Sequence, residues 1–245
     1  MVLQEIDTIQ YSVKGMKHSF DYFAPNNVGI LLSVGHHALI RAKKIYENYL
    51  NSSTFKFPKD KRDEFIVKSK MIYDYIEQVQ TSIVFGYTAL EAFCNLSIPD
   101  DFTFKSEVKS RGTIELYDKK AIERWVPLKT KICEILVNIY ETKSIKSTKV
   151  CSEFNQFEEL RHEIIHQKSI NATGFYKKYF NEKFCGLLTT PENVIRFFFD
   201  ERKNKTMTDP LWPFVINSKN EFPISHDFKS ENFVVTGNIY EGRTK

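Results

Sequence analysis

The sequence predicts a mainly α-helical fold, an antiparallel helical bundle with a mixed C-terminal extension that includes a small amount of β structure. Apolar residues recur at intervals of three, four and seven over several long stretches, which is the spacing of one face of a helix. The stretches are separated by prolines or by clusters of turn-forming residues. Only short β-branched runs, TIEL, PFVI and NFVV, depart from the helical pattern.

Length and composition indicate one sizeable core with an extension. The 245 residues are enough for such a core, and a charged share of 27% with an apolar share of 42% excludes disorder of the whole chain. We predict a helical bundle over residues 1–170 and a C-terminal extension, packed on it, over 171–245. The net charge of +4 permits a polyanionic partner but does not by itself indicate one.

The sequence predicts a cytoplasmic protein. Its four cysteines form no C-x-x-C pair, which indicates reduced thiols and neither a disulfide framework nor a thiolate metal site. The N-terminal MVLQEIDTIQ carries acidic residues and lacks the apolar run of a signal peptide. No segment is apolar for long enough to cross a bilayer, so we expect no membrane association.

The first two helices are predicted at residues 28–49 and 60–97. Residues 1–26 are interpreted as a lead-in without a defined element, which ends at the turn-prone APNN. Asp60 is a candidate cap for the second helix. This helix is expected to stop at SIPDD, because the residue before Pro99 disfavours the helical conformation. TIEL, in the loop that follows, is a possible strand.

Two more helices complete the predicted bundle. One covers residues 118–142 with a break at Pro127, and the next carries the apolar residues of the segment FNQFEELRHEII after the connector TKSIKSTK. In the extension, TPENVIRFFFDERK is predicted to form a helix with Thr190 as its cap and Pro191 at its first position. PFVI and NFVV are candidates for a β-hairpin or an irregular arm.

The stretch ELRHEIIHQK, residues 159–168, contains the spelling H-E-x-x-H of zinc peptidases. Residues four apart lie on one face of a helix, so His162 and His166 could both bind Zn²⁺, with Glu163 as the base. The charged neighbours of the motif argue against this interpretation, because the zinc helix of such enzymes is buried beneath the cleft. A third ligand is also needed, for which Glu182 is the candidate. The zinc peptidase therefore stays an alternative.

The same stretch also contains R-x-x-x-x-H, and ELRHEIIH resembles the catalytic motif of the HEPN superfamily. Arg161, His162 and His166 match the arginine, the following polar residue and the histidine of that motif. GYTALEAFCNLSI, residues 86–98, resembles the earlier core helix that packs against the motif helix, and IERWVPLKTKI, residues 122–132, resembles the helix that links the two. The resemblance covers about residues 60–170 and leaves the C-terminal third uncovered.

The resemblance implies a metal-independent endoribonuclease that needs no cofactor. Arg161 would stabilise the charge on the phosphorane, since a guanidinium offers a planar fork to phosphate oxygens. His166 would act in acid–base catalysis, because imidazole titrates near neutrality, and His162 would position the substrate. The products would carry a 2′,3′-cyclic phosphate and a 5′-hydroxyl. The family's usual setting is bacterial defence, including toxin–antitoxin pairs and abortive infection.

Two carboxylates are candidate supporting residues. Glu91 on the long helix could hold Arg161 or equally be a solvated residue on an exposed face. Glu158, one turn before His162, could orient that imidazole, but an ordinary i,i+4 pair is the favoured interpretation. Five residues turn an ideal helix by about 500°, which leaves Arg161 and His166 about 140° apart. We therefore expect either a bend near Ile165 or a composite cleft in a homodimer.

The expected partners are an RNA substrate, a second copy of the chain and an antitoxin or other regulator. A second class of function remains open, in which the bundle is catalytically silent and binds RNA or a partner protein.

Overall fold

The computed structural model describes residues 6–23, 27–51, 62–108, 113–167, 169 and 173–203. The mainly α-helical prediction is confirmed, because helices dominate these residues and the strands form only two small antiparallel pairs. The strands are β1 (Ile6–Val13), β2 (Met16–Phe23), β3 (Phe104–Val108) and β4 (Thr113–Tyr117). The helices are α1 (Asn27–Ile45), α2 (Arg62–Ser97), α3 (Lys119–Trp125), α4 (Leu128–Thr130), α5 (Leu136–Ile139), α6 (Lys149–Ile165), α7 (Phe184–Leu187) and α8 (Thr190–Glu201).

Helix α2 is the central element of the bundle. Its 36 residues give it a length of about 54 Å, and its buried residues all lie from Tyr75 onward. Helix α1 packs along it, and α6 and α8 pack against it as well. The predicted helix over residues 60–97 is thereby confirmed, although the proposed cap Asp60 lies outside the described residues.

Four helices meet at Gly86 of α2. A Cβ atom at this position would lie 2.7 Å from Cγ of Pro191 in α8 and 3.2 Å from Cζ of Phe157 in α6. On the α1 side, a Cβ on Gly35 would lie 3.4 Å from the backbone nitrogen of Gly86. The lack of a side chain at Gly86 therefore lets the helices approach closely, and it sets the position of the neighbouring Tyr87.

Helix α8, predicted as part of the extension, shares the core of the bundle. The buried ring of Phe198 lies 6.3 Å from the ring of Phe93 in α2 and 5.6 Å from that of Tyr140. Aromatic contacts at such distances add to the free energy gained by burial. Residues on both sides of the predicted boundary at 170 thus pack into one core.

The start of α8 differs from the prediction by one residue. Thr189 occupies the N-cap position without a side-chain cap hydrogen bond, and Thr190 is the first helical residue. The Thr190 hydroxyl is buried and donates instead to the carbonyl oxygen of Leu187 at 2.6 Å. Pro191 therefore stands at the second position, where it still removes no intrahelical hydrogen bond.

The predicted break at Pro127 is confirmed. Asp118 caps α3 by accepting a hydrogen bond from the Ala121 backbone nitrogen at 2.8 Å. The helix ends at Trp125, and Val126 is extended, because the residue before a proline disfavours the helical conformation. The chain then continues through α4, a π-helical turn and α5.

The π-helical turn buries a lysine. Only 4% of Lys131 is exposed, and its Nζ donates to Asn95 Oδ1 at 2.9 Å and to the carbonyl oxygen of Glu123 at 3.0 Å. Burial lowers the pKa of Lys131, because the charged form is poorly solvated there. The ammonium is thus satisfied by hydrogen bonds to uncharged oxygens.

We expect the stability gap between the wild type and Lys131→Met to widen as pH rises from 7 towards 10. The lowered pKa means that the unfolded state binds more protons than the folded state in this window, so stability from this group rises with pH. At neutral pH the variant should be less stable by about 1–3 kcal/mol, since two buried acceptors lose their donor. Urea unfolding at each pH measures the gap. The exposed Lys120→Met is the control, and a constant or narrowing gap for Lys131→Met would contradict the prediction.

The prediction for the N-terminal residues is wrong over 6–23, where β1 and β2 form a hairpin. Its turn places Lys14 at φ 49° and Gly15 at φ 81°, the left-handed conformations that favour a tight hairpin turn. The alternation of apolar and polar residues in β1 is the signal for a strand. TIEL, by contrast, is part of β4 as predicted.

Free thiols are found at all four cysteines, and three of them are buried. The Sγ atoms of Cys133 and Cys151 lie 3.9 Å apart, a proximity that their separation in sequence does not indicate. Burial is the main cause that raises the pKa of Cys133 to about 12, so this thiol stays protonated at neutral pH.

The PFVI and NFVV segments lie outside the described residues. Among the helices that the structure describes, none combines the length and the apolar character needed to cross a membrane.

Candidate functional site

Helix α6 positions the residues of the motif. Thr148 caps its start by accepting a hydrogen bond from the Cys151 backbone nitrogen at 3.3 Å. The residues that anchor α6 in the core recur every three residues, and they are Cys151, Phe154, Phe157 and Leu160. This leaves Arg161 half-buried at the edge of the core and His162 exposed. The apolar stripe therefore fixes which polar side chains face outward.

Arg161 rests on an aromatic ring. Its Cζ lies 4.9 Å from the ring centroid of Tyr87 in α2, within the range of a cation–π interaction. Among the described residues, Arg161 has no ion pair, so its N–H groups are free to bind an anion. The ring thus orients the guanidinium without neutralising it.

Tyr87 also contacts the motif helix through its hydroxyl. This hydroxyl donates to Glu158 Oε1 at 3.2 Å. Burial raises the pKa of Tyr87, the Glu158 and Glu91 carboxylates raise it further, and Arg161 opposes them. Tyr87 is therefore a neutral phenol that ties α2, Glu158 and Arg161 together.

His166 lies just after the end of α6. The helix ends at Ile165, and His166 leaves it with φ −114° and ψ 38° while its backbone N–H donates to the His162 carbonyl oxygen at 3.0 Å. The ring centroids of His162 and His166 are 4.4 Å apart, with an interplanar angle of 49°. The chain thus changes direction after Ile165, and the His166 ring lies against that of His162.

A cleft of about 410 Å³ opens beside the motif. Two basic and two acidic side chains balance its charge. The Oδ1 atom of Asn155 is buried and has no hydrogen-bond partner among the described residues. The residues that line the cleft are Tyr87, Lys129, Asn155, Glu158, Glu159, Arg161 and His162. An unsatisfied buried acceptor is costly, so Asn155 is a candidate contact for a ligand.

The two predicted supporting carboxylates differ in their contacts. Neither a hydrogen bond nor an ion pair joins Glu91 to Arg161 in the part of the chain that the structure describes, and Tyr87 contacts the guanidinium in its place. Glu158 accepts from Tyr87, and no bond to His162 is found in the same part. Glu158 thus contacts Tyr87, which sequence reasoning did not single out, and Glu91 contributes to the raised pKa of Tyr87.

The geometry does not favour the zinc interpretation. Glu163, its proposed base, pairs with Lys178, whose Nζ lies 2.8 and 3.0 Å from the two carboxylate oxygens. Glu182, its proposed third ligand, lines a different cleft with Lys43 and Cys185. Within the described ranges, no group of three His, Cys, Asp or Glu side chains is placed to hold a metal ion.

Of the residues that line the cleft, sequence reasoning singled out Glu158, Arg161 and His162, and it did not single out Tyr87, Lys129, Asn155 or Glu159. Arg161 and His162 both line the cleft, and the His166 ring contacts the His162 ring. Tyr87 is the aromatic residue of GYTALEAF and could have been found from that segment.

No protein-family model, curated protein or solved structure matches the chain. A guanidinium fork without an ion pair in the described part of the chain and two imidazoles near a polar cleft are groups that can bind a phosphodiester and transfer protons to and from it.

Proposed function

We propose that the protein is a metal-independent endoribonuclease of the HEPN type. The observation that supports this most is the Arg161 guanidinium, which lies over the Tyr87 ring without an ion pair among the described residues, next to the tilted imidazole pair of His162 and His166. Arginine binds phosphate oxygens through its planar fork, and histidine exchanges protons near neutral pH. The three groups together supply what cleavage of RNA without a metal requires.

The proposed reaction is an attack within the RNA. A base removes the proton of the 2′-hydroxyl, the 2′-oxygen bonds to phosphorus, and the bond to the 5′-oxygen breaks as that oxygen takes a proton. His166 is assigned the acid–base role, Arg161 stabilises the charge on the phosphorane, and His162 positions the substrate. The products are a 2′,3′-cyclic phosphate and a 5′-hydroxyl end.

The proposal includes a cellular setting and partners. By resemblance to the HEPN superfamily, the enzyme acts in the cytoplasm as a homodimer with a composite cleft, in antiphage defence or as the toxin of a toxin–antitoxin pair. A regulatory partner would then restrain the activity. A second candidate is a catalytically silent module, which is favoured by the Glu158 and Glu159 carboxylates that offset Lys129 and Arg161 in the cleft.

The proposal is tested by incubating the full chain with end-labelled RNA in excess EDTA. Cleavage that continues in EDTA and leaves cyclic phosphate ends supports the nuclease. Binding of RNA without cleavage supports the silent module. Hydrolysis of peptides that stops in EDTA and returns with Zn²⁺ would restore the peptidase alternative.

Asn155→Ala is expected to separate stability from activity. Removing a buried oxygen that lacks a partner should leave the melting temperature unchanged or slightly higher, whereas RNA cleavage should fall by about 10-fold if the amide contacts substrate. Thermal unfolding and cleavage rates measure the two effects. The exposed Asn138→Ala, on α5, is the control. A lower melting temperature with full activity would contradict the assignment.

A further inference from the structure

The hairpin of β1 and β2 has one polar and one apolar face. Successive strand residues point to opposite faces, and cross-strand partners share a face. The polar face carries the cross-strand pair Gln10 and Ser19, and Thr8 Oγ1 donates to Asp21 Oδ1 at 2.7 Å. The apolar face begins at its open end with the pair Asp7 and Tyr22, and the rest of it, to the turn and back, consists of Ile9, Tyr11, Val13, Met16, His18 and Phe20.

The apolar face is exposed. Met16 is 62% exposed, Phe20 49% and Tyr11 46%, and Ile9 and Val13 are exposed as well. The rings form a strip across the two strands: Tyr11 stacks on His18 at 5.4 Å and meets Phe20 edge-on at 6.0 Å. Among the described elements, the hairpin strands pack chiefly against each other.

An uncovered face of this kind is unusual for a two-stranded hairpin. Such hairpins are marginally stable in water unless a hydrophobic face is covered by another element. Contiguous exposed apolar patches of several hundred Å² commonly mark interaction sites. The face therefore points to an occupant that packs against it.

We propose that the occupant is the same face of a second copy of the chain, so that two hairpins stack into a two-layer sandwich. The positions of the face from Ile9 to Phe20 carry no lysine, arginine, aspartate or glutamate, and Asp7 lies at its open end, opposite Tyr22, so the middle of the face can meet its copy without repulsion between like charges. Two-fold symmetry makes such a patch its own partner.

The area of the face is sufficient for such an interface. The exposed side chains offer on the order of 500 Å² per copy, so stacking would bury roughly 1,000 Å² in total, the lower bound for a specific contact. RNA is a poorer occupant, because binding to it depends on cationic side chains, and Lys14 and Lys17 lie at the turn and on the polar face. The proposal places on this surface the contact that joins the two copies of the proposed homodimer, and it does not rest on the nuclease activity.

The test is the molar mass of the full chain by light scattering at micromolar concentrations. The wild type is expected at twice the chain mass of 28.8 kDa. Tyr11→Thr/Phe20→Thr should raise the dimer dissociation constant by about 100-fold or more, since interfaces depend on a few aromatic anchors. The matched control is Gln10→Thr/Ser19→Thr, which changes the opposite face and should stay dimeric. Circular dichroism checks that all three proteins have the same helix content.

Three outcomes would overturn the proposal. The first is a dimer that persists in Tyr11→Thr/Phe20→Thr, since another surface would then join the copies. The second is a monomeric wild type in which Tyr11 and Met16 resist hydroxyl-radical oxidation, because residues of the same chain would then cover the face. The third is a monomeric wild type in which both are oxidised, which would leave the face for a different protein.

Discussion

Replacing Gly86 with valine is expected to lower the free energy of unfolding by roughly 3 kcal/mol, at the upper end of what overpacking a core costs. Even the first added atom would lie 2.7 Å from Cγ of Pro191, well inside van der Waals contact. The proline ring cannot rotate away, and Phe157 Cζ blocks a second direction at 3.2 Å. The better helix propensity of a non-glycine residue recovers less than about 1 kcal/mol of this loss.

Urea unfolding of Gly86→Val, with Gly186→Val as the matched control, measures the effect. A Cβ on Gly186 in α7 meets nothing within 4 Å, so the same substitution there should change stability little. Gly86→Ala should fall between the wild type and Gly86→Val, because it adds only the atom closest to Pro191. Equal losses at the two glycines would show that the contact at Gly86 is not the cause.

The sequence contained enough information to predict most of the helices. The period of buried residues in α2 and the proline that ends α3 are local signals, and the structure follows both. Helix α8 begins at Thr190, one residue before the predicted start, because the Thr190 hydroxyl donates to the Leu187 carbonyl oxygen and does not cap the helix. This contact depends on tertiary packing. Local sequence determines that a helix forms more reliably than it determines where the helix begins.

The N-terminal hairpin was missed for a different physical reason. Apolar and polar residues alternate along its strands, but the apolar face is exposed. The strands therefore do not contribute to the buried core, whereas the helices were predicted from the apolar residues that they bury. The turn at Lys14 and Gly15 contains a single glycine, a weaker signal than Asn-Gly or Gly-Gly. A strand pattern without a buried partner is easily interpreted as a lead-in.

At the site, the sequence identified the residues of the motif but not their surroundings. Arg161 and His166 were predicted from the resemblance of one short stretch, ELRHEIIH, to a family motif, whereas Tyr87 comes from α2 and Lys129 from α4. Which side chains of other helices reach the motif depends on how those helices pack. The close approach of the helices at Gly86 determines that Tyr87 reaches the motif, and no local sequence pattern predicts that approach.

Arg161→Ala and His166→Ala are each expected to lower RNA cleavage by about 10²–10⁴-fold, the range for losing a charge-stabilising or acid–base group. The matched control is Arg124→Ala. Arg124 also lies over an aromatic ring, with its Cζ 4.8 Å from the centroid of Trp125, but it is outside the cleft. Single-turnover cleavage rates in EDTA measure all three, and thermal unfolding checks that each variant is folded. Full activity in His166→Ala would remove the imidazole from the mechanism.

Arg161→Lys distinguishes charge from geometry at the same position. Lysine keeps the positive charge but lacks the planar fork, so it cannot donate two parallel hydrogen bonds to a phosphate. If the Tyr87 ring serves to aim that fork, Arg161→Lys should lose nearly as much activity as Arg161→Ala. Tyr87→Leu should then also lose a substantial part of the wild-type activity, while its affinity for RNA falls little. If charge alone is needed, Arg161→Lys should stay within about 10-fold of the wild type, because a charge-assisted contact survives the change. The first pattern would mean that the stacking of Arg161 on Tyr87 is part of the catalytic geometry.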